Sequence, residues 1–468
     1  MKSHAILSVF DKTDLLGFAK ELAKRDITIL STGGTSRHLK EGGVEVVSIS
    51  DYTGSPEILD GRVKSLHPKI HGGILARRDL EKDNQTLAEH EISPIDFVVV
   101  NLYPFLDKVN EVVAAGKAEH DSLVEDIDIG GPTMIRAAAK NCHHVVPVCD
   151  PADYPLIIKE LDASGSISIE LRRKLAAKVF QMMANYDSQI ARYFSLEEKL
   201  LDDDGKAKGL APMEAVVLKE KQALRYGENP HQSAKLYEAV HGGEGSTLWS
   251  QLQGKELSYN NLVDMQATIE LFLELYSDLK NEHAAVVIKH TNPCGAAVRS
   301  SGLEAFQAAK ACDPVSAFGG IIAINGAIDA ELASAITEQF VEVVCVEKIT
   351  DEAAAIFAKK KNLRLIKCDF KEMIARQQNK QFSIKSVGGD YLLQEVDAAC
   401  KILAASDEQS AATTDENTLA DLNFAWKVAK HVKSNTIVVS KDRQAIGCLL
   451  YTSPSPRDAT LSRMPSSA

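Results

Sequence analysis

Strand-like and helix-like segments alternate through the first 150 residues, and this alternation limits the possible folds more than any other feature of the sequence. Residues 5–9, 27–30, 44–49 and 96–100 are short, apolar and rich in β-branched side chains. Between the first two runs, residues 15–23 carry apolar side chains at helical spacing. Strands separated by helices are joined by right-handed crossovers. The sequence therefore predicts an α/β fold built on a parallel sheet.

The rest of the chain predicts a second α/β region. The 468 residues suffice for about three domains. We expect a first domain over 1–150, a helical connector over 151–205 that ends in a polar turn, and a larger region over 206–447. The strand-like runs of that larger region are residues 284–288, 321–324, 341–344 and 436–439.

Composition excludes several classes of protein. The formal net charge of −12 gives no electrostatic footprint for nucleic acid or an anionic membrane. No apolar run reaches the roughly 18 residues of a spanning helix, and the N-terminus enters a strand-like run at once instead of a secretory signal. The eight cysteines are scattered without a CxxC pair, which indicates reduced thiols. We expect a cytoplasmic protein that acts on small molecules and holds no catalytic metal.

Glycine-rich turns in the first domain are typical of a site for a phosphorylated small molecule. Residues 31–35, Ser-Thr-Gly-Gly-Thr, lie between a strand and a helix, where N–H groups and hydroxyls suit a phosphate as well as a plain tight turn. Residues 61–73 place one arginine, two lysines and two histidines between glycines, which favours a shaped binding loop over a solvated basic run. Asn101 and Tyr103 follow the strand 96–100, at the edge where open parallel sheets bind ligands.

A second Gly-Gly segment follows at residues 126–133. Asp128 stands directly before its glycines and could orient a substrate nitrogen, or it could be an N-cap carboxylate. Arg136 and Lys140 are four residues apart and share one face of the predicted helix. They could therefore be either substrate-binding cations or ordinary surface residues.

The most distinctive segment of the larger region is Lys289-His290 at the end of an apolar strand. A histidine beside a lysine can act as a base, because the neighbouring positive charge disfavours the protonated imidazole. Residues 293–295, Pro-Cys-Gly, are typical of a turn after it. Zinc deaminases use H-x-E followed by P-C-x-x-C, but Asn292 and Ala297 occupy two positions of that pattern. We therefore predict no zinc site.

Nine motifs together resemble one family, the bifunctional purine biosynthesis enzymes that join AICAR (aminoimidazole carboxamide ribotide) transformylase to inosine monophosphate (IMP) cyclohydrolase. They occur in the order of that family between residue 4 and about residue 447. The motifs are DKTDLL, STGGTS, GRVKSLHPKIHGGILARR, NLYPF, DIDIGGPTMIRAAAKN, LRYGENPHQ, GKELSYNN, KHTNPCG and DPVSAFGG.

The resemblance implies a fold and two activities. It implies an N-terminal methylglyoxal-synthase-like, Rossmann-type domain followed by two cytidine-deaminase-like subdomains, the last of them truncated. The larger region would transfer a formyl group from 10-formyltetrahydrofolate to the AICAR amine. The first domain would close formyl-AICAR to IMP with loss of water. The family also implies a homodimer.

The resemblance assigns roles to individual residues. For formyl transfer it implies catalytic roles for Lys289, His290 and Asn435. For ring closure it implies a catalytic set of Lys64, Tyr103, Asp128 and Lys140. Substrate-binding positions are Lys12, Thr32, Gly33, Gly34, Thr35, Arg62, Ser65, Asn101, Gly130, Gly131, Arg225, Tyr226 and Asn261.

Two departures from the family pattern matter. Phe10 replaces a hydroxyl residue near the expected phosphate site, in Ser-Val-Phe-Asp-Lys-Thr. After Gly447 the family continues with a GxGQxSR segment, whereas residues 448–468 are rich in Ser and Pro and lack periodicity. We expect this segment to be a non-native, disordered tail, the transformylase region to be incomplete, and formyl transfer to be impaired.

Two rival classes remain open at this point. A zinc deaminase would bind stoichiometric zinc. A non-catalytic regulator would use the first domain to bind a purine precursor without converting it, so turnover of formyl-AICAR to IMP separates it from the enzyme.

Overall fold

A computed structural model describes residues 3–103, 105, 108, 123–197, 215–239, 248–377, 382–397, 415–433 and 436–448. The chain forms two compact units, residues 1–218 with 239–244 and residues 219–238 with 245–468. The turn at 202–206, Asn435 and the predicted tail after Cys448 lie outside the described residues.

The first unit contains a five-stranded sheet in the order β3-β2-β1-β4-β5. Every neighbouring pair is parallel, as the alternation of strands and helices predicted. The strands are β1 (His4–Val9), β2 (Thr28–Ser31), β3 (Val47–Ser48), β4 (Ile95–Asn101) and β5 (Val146–Val148). The predicted strand 44–49 is mostly wrong, because the Ser48 hydroxyl accepts a hydrogen bond from the Asp51 N–H and starts a helix there.

Helices cover both faces of this sheet. They are α1 (Leu15–Ala23), α2 (Gly33–Glu41), α3 (Ile49–Thr53), α4 (Pro68–Leu75), α5 (Glu81–Glu89), α6 (Gly130–Lys140), α7 (Tyr154–Ser164) and α8 (Ile169–Glu197). Alternate residues of β1 enter two different cores: Ala5 and Leu7 pack towards α1 and α7, and Ile6 packs towards α4, α6 and α8. With both faces buried, the carboxyl edge of the sheet is the place for a ligand.

The second unit contains an eight-stranded mixed sheet in the order β16-β17-β10-β9-β11-β12-β13-β8. Its strands are β8 (Trp249–Gln253), β9 (His283–Lys289), β10 (Asn292–Arg299), β11 (Ile321–Ile328), β12 (Val343–Ile349), β13 (Arg364–Cys368), β16 (Val438–Lys441) and β17 (Gln444–Cys448). Separate hairpins are β6 (Leu218–Leu224) with β7 (Ala234–Ala239), and β14 (Phe382–Val387) with β15 (Asp390–Glu395). The two clearest predicted strands are confirmed, and the other two begin two residues later than predicted.

Six helices complete the described part of this unit: α9 (Tyr259–Tyr276), α10 (Gly302–Cys312), α11 (Ala330–Thr337), α12 (Asp351–Phe357), α13 (Phe370–Gln377) and α14 (Glu416–Lys430). One core lies under α9, α13 and α14, and the other under α10, α11 and α12. Among the described residues, no helix has the length and apolar character needed to cross a membrane.

Candidate active sites

The first candidate site lies at the carboxyl edge of the parallel sheet. Thr32 is the extended N-cap residue of α2, and Gly33 follows with φ +51°, a backbone conformation that favours glycine. The first N–H groups of a helix lack partners within the helix and attract anions. Beside this turn is a cleft of about 340 Å³ whose lining includes Ser31, Arg37 and Lys40. The predicted phosphate turn, with Gly34 in the first turn of α2, therefore opens onto a cleft with cationic side chains.

Thr35 joins this turn to β1. Its hydroxyl accepts a hydrogen bond from the Val9 N–H at 3.1 Å and donates one to the Val9 carbonyl at 3.0 Å. The residue is only 5% exposed. The side chain therefore holds the turn in shape, and the Thr35 backbone remains the group that a phosphate could meet.

Asn101, at the end of β4, shapes the loop after β1. Its side-chain oxygen accepts hydrogen bonds from the N–H groups of Phe10 at 2.7 Å and Asp11 at 2.9 Å, and its amide donates to the Asp11 carbonyl at 3.0 Å. Lys12 Nζ donates to the Phe10 carbonyl at 3.2 Å. The structure thus places Asn101 as a support of this loop, a role that the sequence did not predict.

Phe10 packs against a predicted catalytic residue. Its ring meets the ring of Tyr103 edge-on, with the ring centroids 4.4 Å apart, and it is 53% exposed. The residue that replaces the family's hydroxyl therefore forms part of the surroundings of Tyr103.

The Gly-Gly entry to α6 brings four predicted site residues together: Ser65, Asp128, Gly130 and Gly131. Asp128 Oδ1 accepts the Gly131 N–H at 3.0 Å, and the Asp128 N–H donates to the Tyr186 hydroxyl at 2.9 Å. A Cβ at Gly130 would lie 2.6 Å from Ser65 Oγ, and one at Gly131 would lie 2.4 Å from Asp128 Oδ2. These distances explain both glycines: the backbone approaches Ser65 and Asp128 too closely for a side chain.

The predicted cations of this unit are more dispersed. If Gly61 carried a Cβ atom, that atom would lie 3.9 Å from Lys64 Nζ and 3.5 Å from a Glu57 carboxylate oxygen. Arg62 forms an ion pair with Glu125 at 3.3 Å. Lys140 is in the last turn of α6, ten residues after the first, which corresponds to about 15 Å along the helix axis. The structure therefore does not bring Lys140 beside the glycines at the start of that helix.

The second candidate site is built around the turn between β9 and β10. Lys289 pairs with Asn292, so His290 and Thr291 form a two-residue turn. Both have positive φ, 53° and 60°, which is unusual for residues with a side chain and especially for a β-branched threonine. The prediction of a turn at 293–295 is wrong: these residues belong to β10, and an irregularity in the pairing lies there instead.

Several groups hold this turn. Asp264 of α9 accepts the N–H groups of Thr291 at 2.8 Å and His290 at 3.2 Å. Lys289 Nζ donates to the Phe318 carbonyl at 2.8 Å, which comes from the DPVSAFGG motif. The Lys433 N–H lies 3.5 Å from Asn292 Oδ1. The sequence analysis did not predict a role for Asp264. The only local signal for it is its position six residues after the helix cap Ser258.

The same arrangement occurs a second time. We call α9, β9 and β10 the first helix–hairpin, and α14, β16 and β17 the second. In the second, Asp421 lies six residues after the helix cap Asp415. It accepts the N–H groups of Asp442 at 2.9 Å and Arg443 at 2.5 Å, and both of these turn residues also have φ of 52°. The two hairpins are neighbours in the sheet.

Near the start of α9, Arg225 and Tyr226 lie together. The Arg225 guanidinium stacks 4.8 Å from the Tyr226 ring centre and donates to its hydroxyl at 3.1 Å. Burial lowers the pKa of Arg364, Glu342 opposes that shift, and the positive charge of Arg225 adds to it. Arg364 is thus a further cation at this place that the sequence analysis missed.

Asn261 is engaged within the protein. It forms a capping box with Ser258, its amide donates to a Glu342 oxygen at 2.6 Å, and it is 5% exposed. The structure therefore brings Asn261 beside Arg225 through Glu342 and Arg364, as part of the framework of this place.

Burial raises the pKa of the Cys294 thiol to about 12. It therefore stays protonated near neutral pH. Among the described residues, no three His, Cys, Asp or Glu side chains come together as a metal site would require.

Comparison with known proteins shows the family of the chain. Residues 138–449 match the family model described as the AICARFT/IMPCHase bienzyme, and residues 14–133 match that of the MGS-like domain. The chain belongs to the AICARFT/IMPCHase bienzyme family. The family predicted from the sequence is thereby confirmed, and so is the enzyme class, a bifunctional AICAR formyltransferase and IMP cyclohydrolase. The coarse fold is confirmed as well: a mixed α/β chain with an MGS-like domain first.

Relatives in this bienzyme family match along nearly the whole chain. A protein named bifunctional purine biosynthesis protein PurH from Anoxybacillus flavithermus is 45% identical over 96% of this chain and 84% of its own length. Its namesake from Rhodospirillum rubrum is 47% identical over 95% of this chain and 80% of its own length. A crystal structure of ForH is 36% identical, with 41% of this chain and 98% of ForH covered and a TM-score of 0.37.

Proposed function

We propose that this chain catalyses the last two steps of IMP synthesis: formyl transfer from 10-formyltetrahydrofolate to AICAR in the second unit, and ring closure of formyl-AICAR in the first. The observation that carries the proposal is the turn at Lys289–Asn292. It places a cation and an imidazole where β9 ends and β10 begins, in a chain matched by the bienzyme family. Both reactions use small molecules, and we place them in the cytoplasm.

In formyl transfer, the AICAR amine is a poor nucleophile because its lone pair is delocalised into the ring. His290 would remove a proton as the amine attacks the formyl carbon, or hold the substrate amide that assists this step. Lys289 would stabilise the negative charge on the formyl oxygen and help to protonate the leaving folate nitrogen. Its ammonium is already oriented by the Phe318 carbonyl. Asn435 would orient the formyl group, and no metal takes part.

For this reaction we propose Arg225, Tyr226 and Asn261 as substrate-binding positions. The stacked guanidinium and phenol of Arg225 and Tyr226 offer a cation and a hydroxyl to a ribotide. Asn261 acts from the helix start that supports them.

Ring closure depends mainly on proximity. The formamide of formyl-AICAR is flexible, and the reaction needs the carboxamide nitrogen to meet the formyl carbon. Asp128 would orient the nitrogen, and Lys64 and Tyr103 would stabilise charge and move protons. Lys140 is proposed as a fourth member from the family resemblance alone, because its place in the last turn of α6 does not bring it beside the glycines. The Thr32–Thr35 turn, together with Lys12, Arg62, Ser65, Asn101 and the Gly130–Gly131 pair, would hold the nucleotide.

We also propose that formyl transfer is slower here than in the relatives. β17 runs antiparallel to β10, so its carboxyl end is directed towards the edge where β10 begins at Asn292. The family's GxGQxSR segment would therefore arrive at the transfer site, whereas this chain continues with the Ser- and Pro-rich residues 448–468. The residues that arrive at the site after β17 would therefore differ from those of the family.

Two structural proposals accompany the function. The repeated helix–hairpin supports two cytidine-deaminase-like subdomains in the second unit. The family resemblance supports a homodimer, which light scattering would test.

The test is to assay the two half-reactions separately, spectroscopically, on this chain and on one in which residues 448–468 are replaced by the family's segment. We expect ring closure at equal rates in both and formyl transfer at least tenfold faster in the second. Equal formyl transfer would contradict the impairment, and no ring closure in either chain would contradict the ring-closure half of the proposed function.

A further inference from the structure

We propose that Asp264 is a positioning residue of the formyl-transfer site, whose carboxylate holds the His290–Thr291 turn in the conformation that presents Lys289 and His290 to the substrate. The inference rests on the proposed transferase function. It concerns a residue that contacts the backbone of the turn and acts only through it.

The turn needs such a support because its sequence does not favour its shape. A two-residue hairpin turn with positive φ at both positions is ordinarily formed by Asn-Gly or a similar pair. Here His290 and Thr291 occupy these positions, at 53° and 60°. Threonine is β-branched and is strained in this region. Without a tie to the rest of the fold, these two residues would relax to other conformations.

Asp264 supplies that tie with both of its oxygens. Oδ1 accepts the Thr291 N–H at 2.8 Å, and Oδ2 accepts the His290 N–H at 3.2 Å. Hydrogen bonds to an ionised carboxylate are stronger than those between neutral groups. Because Asp264 is on α9, whose apolar face is in the core of the sheet, the turn is fixed to a rigid element.

The other side of the turn is held by its own side chains. The His290 carbonyl accepts hydrogen bonds from Thr291 Oγ1 at 2.7 Å and from Asn292 Nδ2 at 3.1 Å. These bonds move with the turn and cannot anchor it to the fold. Asp264 is therefore the side chain that connects the two positive-φ residues to another element.

The second helix–hairpin provides a matched control within the chain. Asp421 holds the turn at Asp442 and Arg443 in the same way. That turn carries neither the His290 nor the Thr291 side chain. The same change in both aspartates therefore removes the same support, and only one of them should affect formyl transfer.

The experiment compares Asp264→Asn, Asp264→Glu, Asp421→Asn and the double variant Asp264→Asn with Thr291→Gly. We expect Asp264→Asn to slow single-turnover formyl transfer by about 10- to 100-fold, as a misplaced catalytic group does, and to change the KM for AICAR by less than about threefold. The formyl-transfer rate of Asp264→Glu should lie between that of Asp264→Asn and that of the parent. Asp421→Asn should leave the transfer rate within about twofold of the parent, and ring closure, assayed in every variant, should not change.

Thr291→Gly distinguishes positioning from direct chemistry. Glycine adopts positive φ without strain, so in the Asp264→Asn background it should recover at least about fivefold of the lost rate. A residue that reacted with the substrate itself would not be rescued in this way. No recovery, or an equal loss in Asp421→Asn, would overturn the proposal.

If neither the parent chain nor the one carrying the family's segment in place of 448–468 shows formyl transfer, the transferase proposal fails, and the positioning role is decided by hydrogen exchange. Amides of 288–292 should then exchange faster in Asp264→Asn, return towards the parent rate with Thr291→Gly, and be unaffected by Asp421→Asn. Unchanged exchange in Asp264→Asn would overturn the inference independently of any turnover.

Discussion

The two helix–hairpins of the second unit share a frame and differ in what the frame presents. In each, a helix residue six positions after the cap is an aspartate that holds a two-residue turn of positive φ. Each turn also follows a lysine, Lys289 in the first and Lys441 in the second. After that lysine the first turn places an imidazole and a hydroxyl, and the second places Asp442 and Arg443.

The surroundings of the two turns differ as well. The Lys289 ammonium is drawn to the Phe318 carbonyl within the site, whereas Arg443 forms a two-point ion pair with Glu282 at 2.9 and 2.5 Å. The guanidinium of the second turn is therefore paired with a carboxylate of the fold. The comparison teaches that the frame is structural and that the turn residues and their neighbours confer the chemistry.

The largest expected contrast is between the two lysines. Lys289→Ala should lower the formyl-transfer rate by about 10²- to 10⁴-fold, because it removes a charge that we place at the reacting oxygen. Lys441→Ala, the matched change in the second turn, should leave that rate unchanged. Initial rates at saturating AICAR and folate measure both. A similar loss in both variants would mean that the two turns share one site.

A large contrast in stability is expected between the strands that follow the two turns. A Cβ on Gly295 of β10 would lie 1.8 Å from the Ala309 carbonyl oxygen of α10. Gly295→Ala should therefore cost about 3 kcal/mol or more of the free energy of unfolding, because backbone must move. Ile446 of β17 is 51% exposed, so Ile446→Ala should cost less than about 1 kcal/mol. Urea unfolding monitored by circular dichroism measures both, and a small loss in Gly295→Ala would contradict the close packing of α10 on β10.

The comparison also separates what a sequence can predict from what it cannot. Local patterns sufficed for the parallel sheet, the central strand of the second unit and the segments that line both sites, because periodicity and turn residues act over a few positions. Asp264 was missed because it reaches a turn 26 residues later only when the sheet has formed. Arg364 was missed for the same reason, since the β13 register places it.

The predicted turn at 293–295 failed for a related reason. Proline and glycine there are typical of a turn, but the antiparallel pairing of β9 with β10 begins at Asn292 and includes Pro293 opposite Ile288. Pairing across the sheet thus overrode the local preference. In the first unit, Asn101 was predicted at the right edge, but its three bonds to the loop after β1 depend on contacts 90 residues away in sequence.

The contact between the helices of the two helix–hairpins predicts that the free energy of unfolding depends on pH. Glu274 of α9 is near Lys430, the last residue of α14, and His431, which follows it. Burial acts to raise the pKa of Glu274, but these two groups outweigh it and lower the pKa below its ordinary value of 4.5. A lowered pKa in the folded state means that the stabilisation is complete above about pH 4.5 and declines as the pH falls through the lowered pKa.

Glu274→Gln should therefore cost about 2 kcal/mol at neutral pH, because it removes the partly buried carboxylate that pairs with Lys430 and leaves that lysine with the more distant Asp397. The difference from the parent should shrink as the pH falls through the lowered pKa of Glu274. Chemical unfolding at pH 7 and pH 3.5 measures this. Glu270→Gln, on the exposed side of the same helix, is the control and should differ little at either pH. A constant difference across this pH range would show that Glu274 does not titrate as its surroundings imply.

The smallest expected effect concerns the ion pair that distinguishes the second turn. Arg443 and Glu282 are 38% and 36% exposed, so water and salt screen their interaction. Arg443→Met should lower the free energy of unfolding by about 1 kcal/mol or less. The difference should become smaller still in 1 M salt, where the screening length is about 3 Å. Formyl transfer should not change, because the pair lies in the turn that we exclude from the chemistry. Thermal unfolding at low and high salt measures the stability, and the transfer assay measures the rate. If the loss of Arg443 slowed formyl transfer without lowering stability, this division of roles would be contradicted.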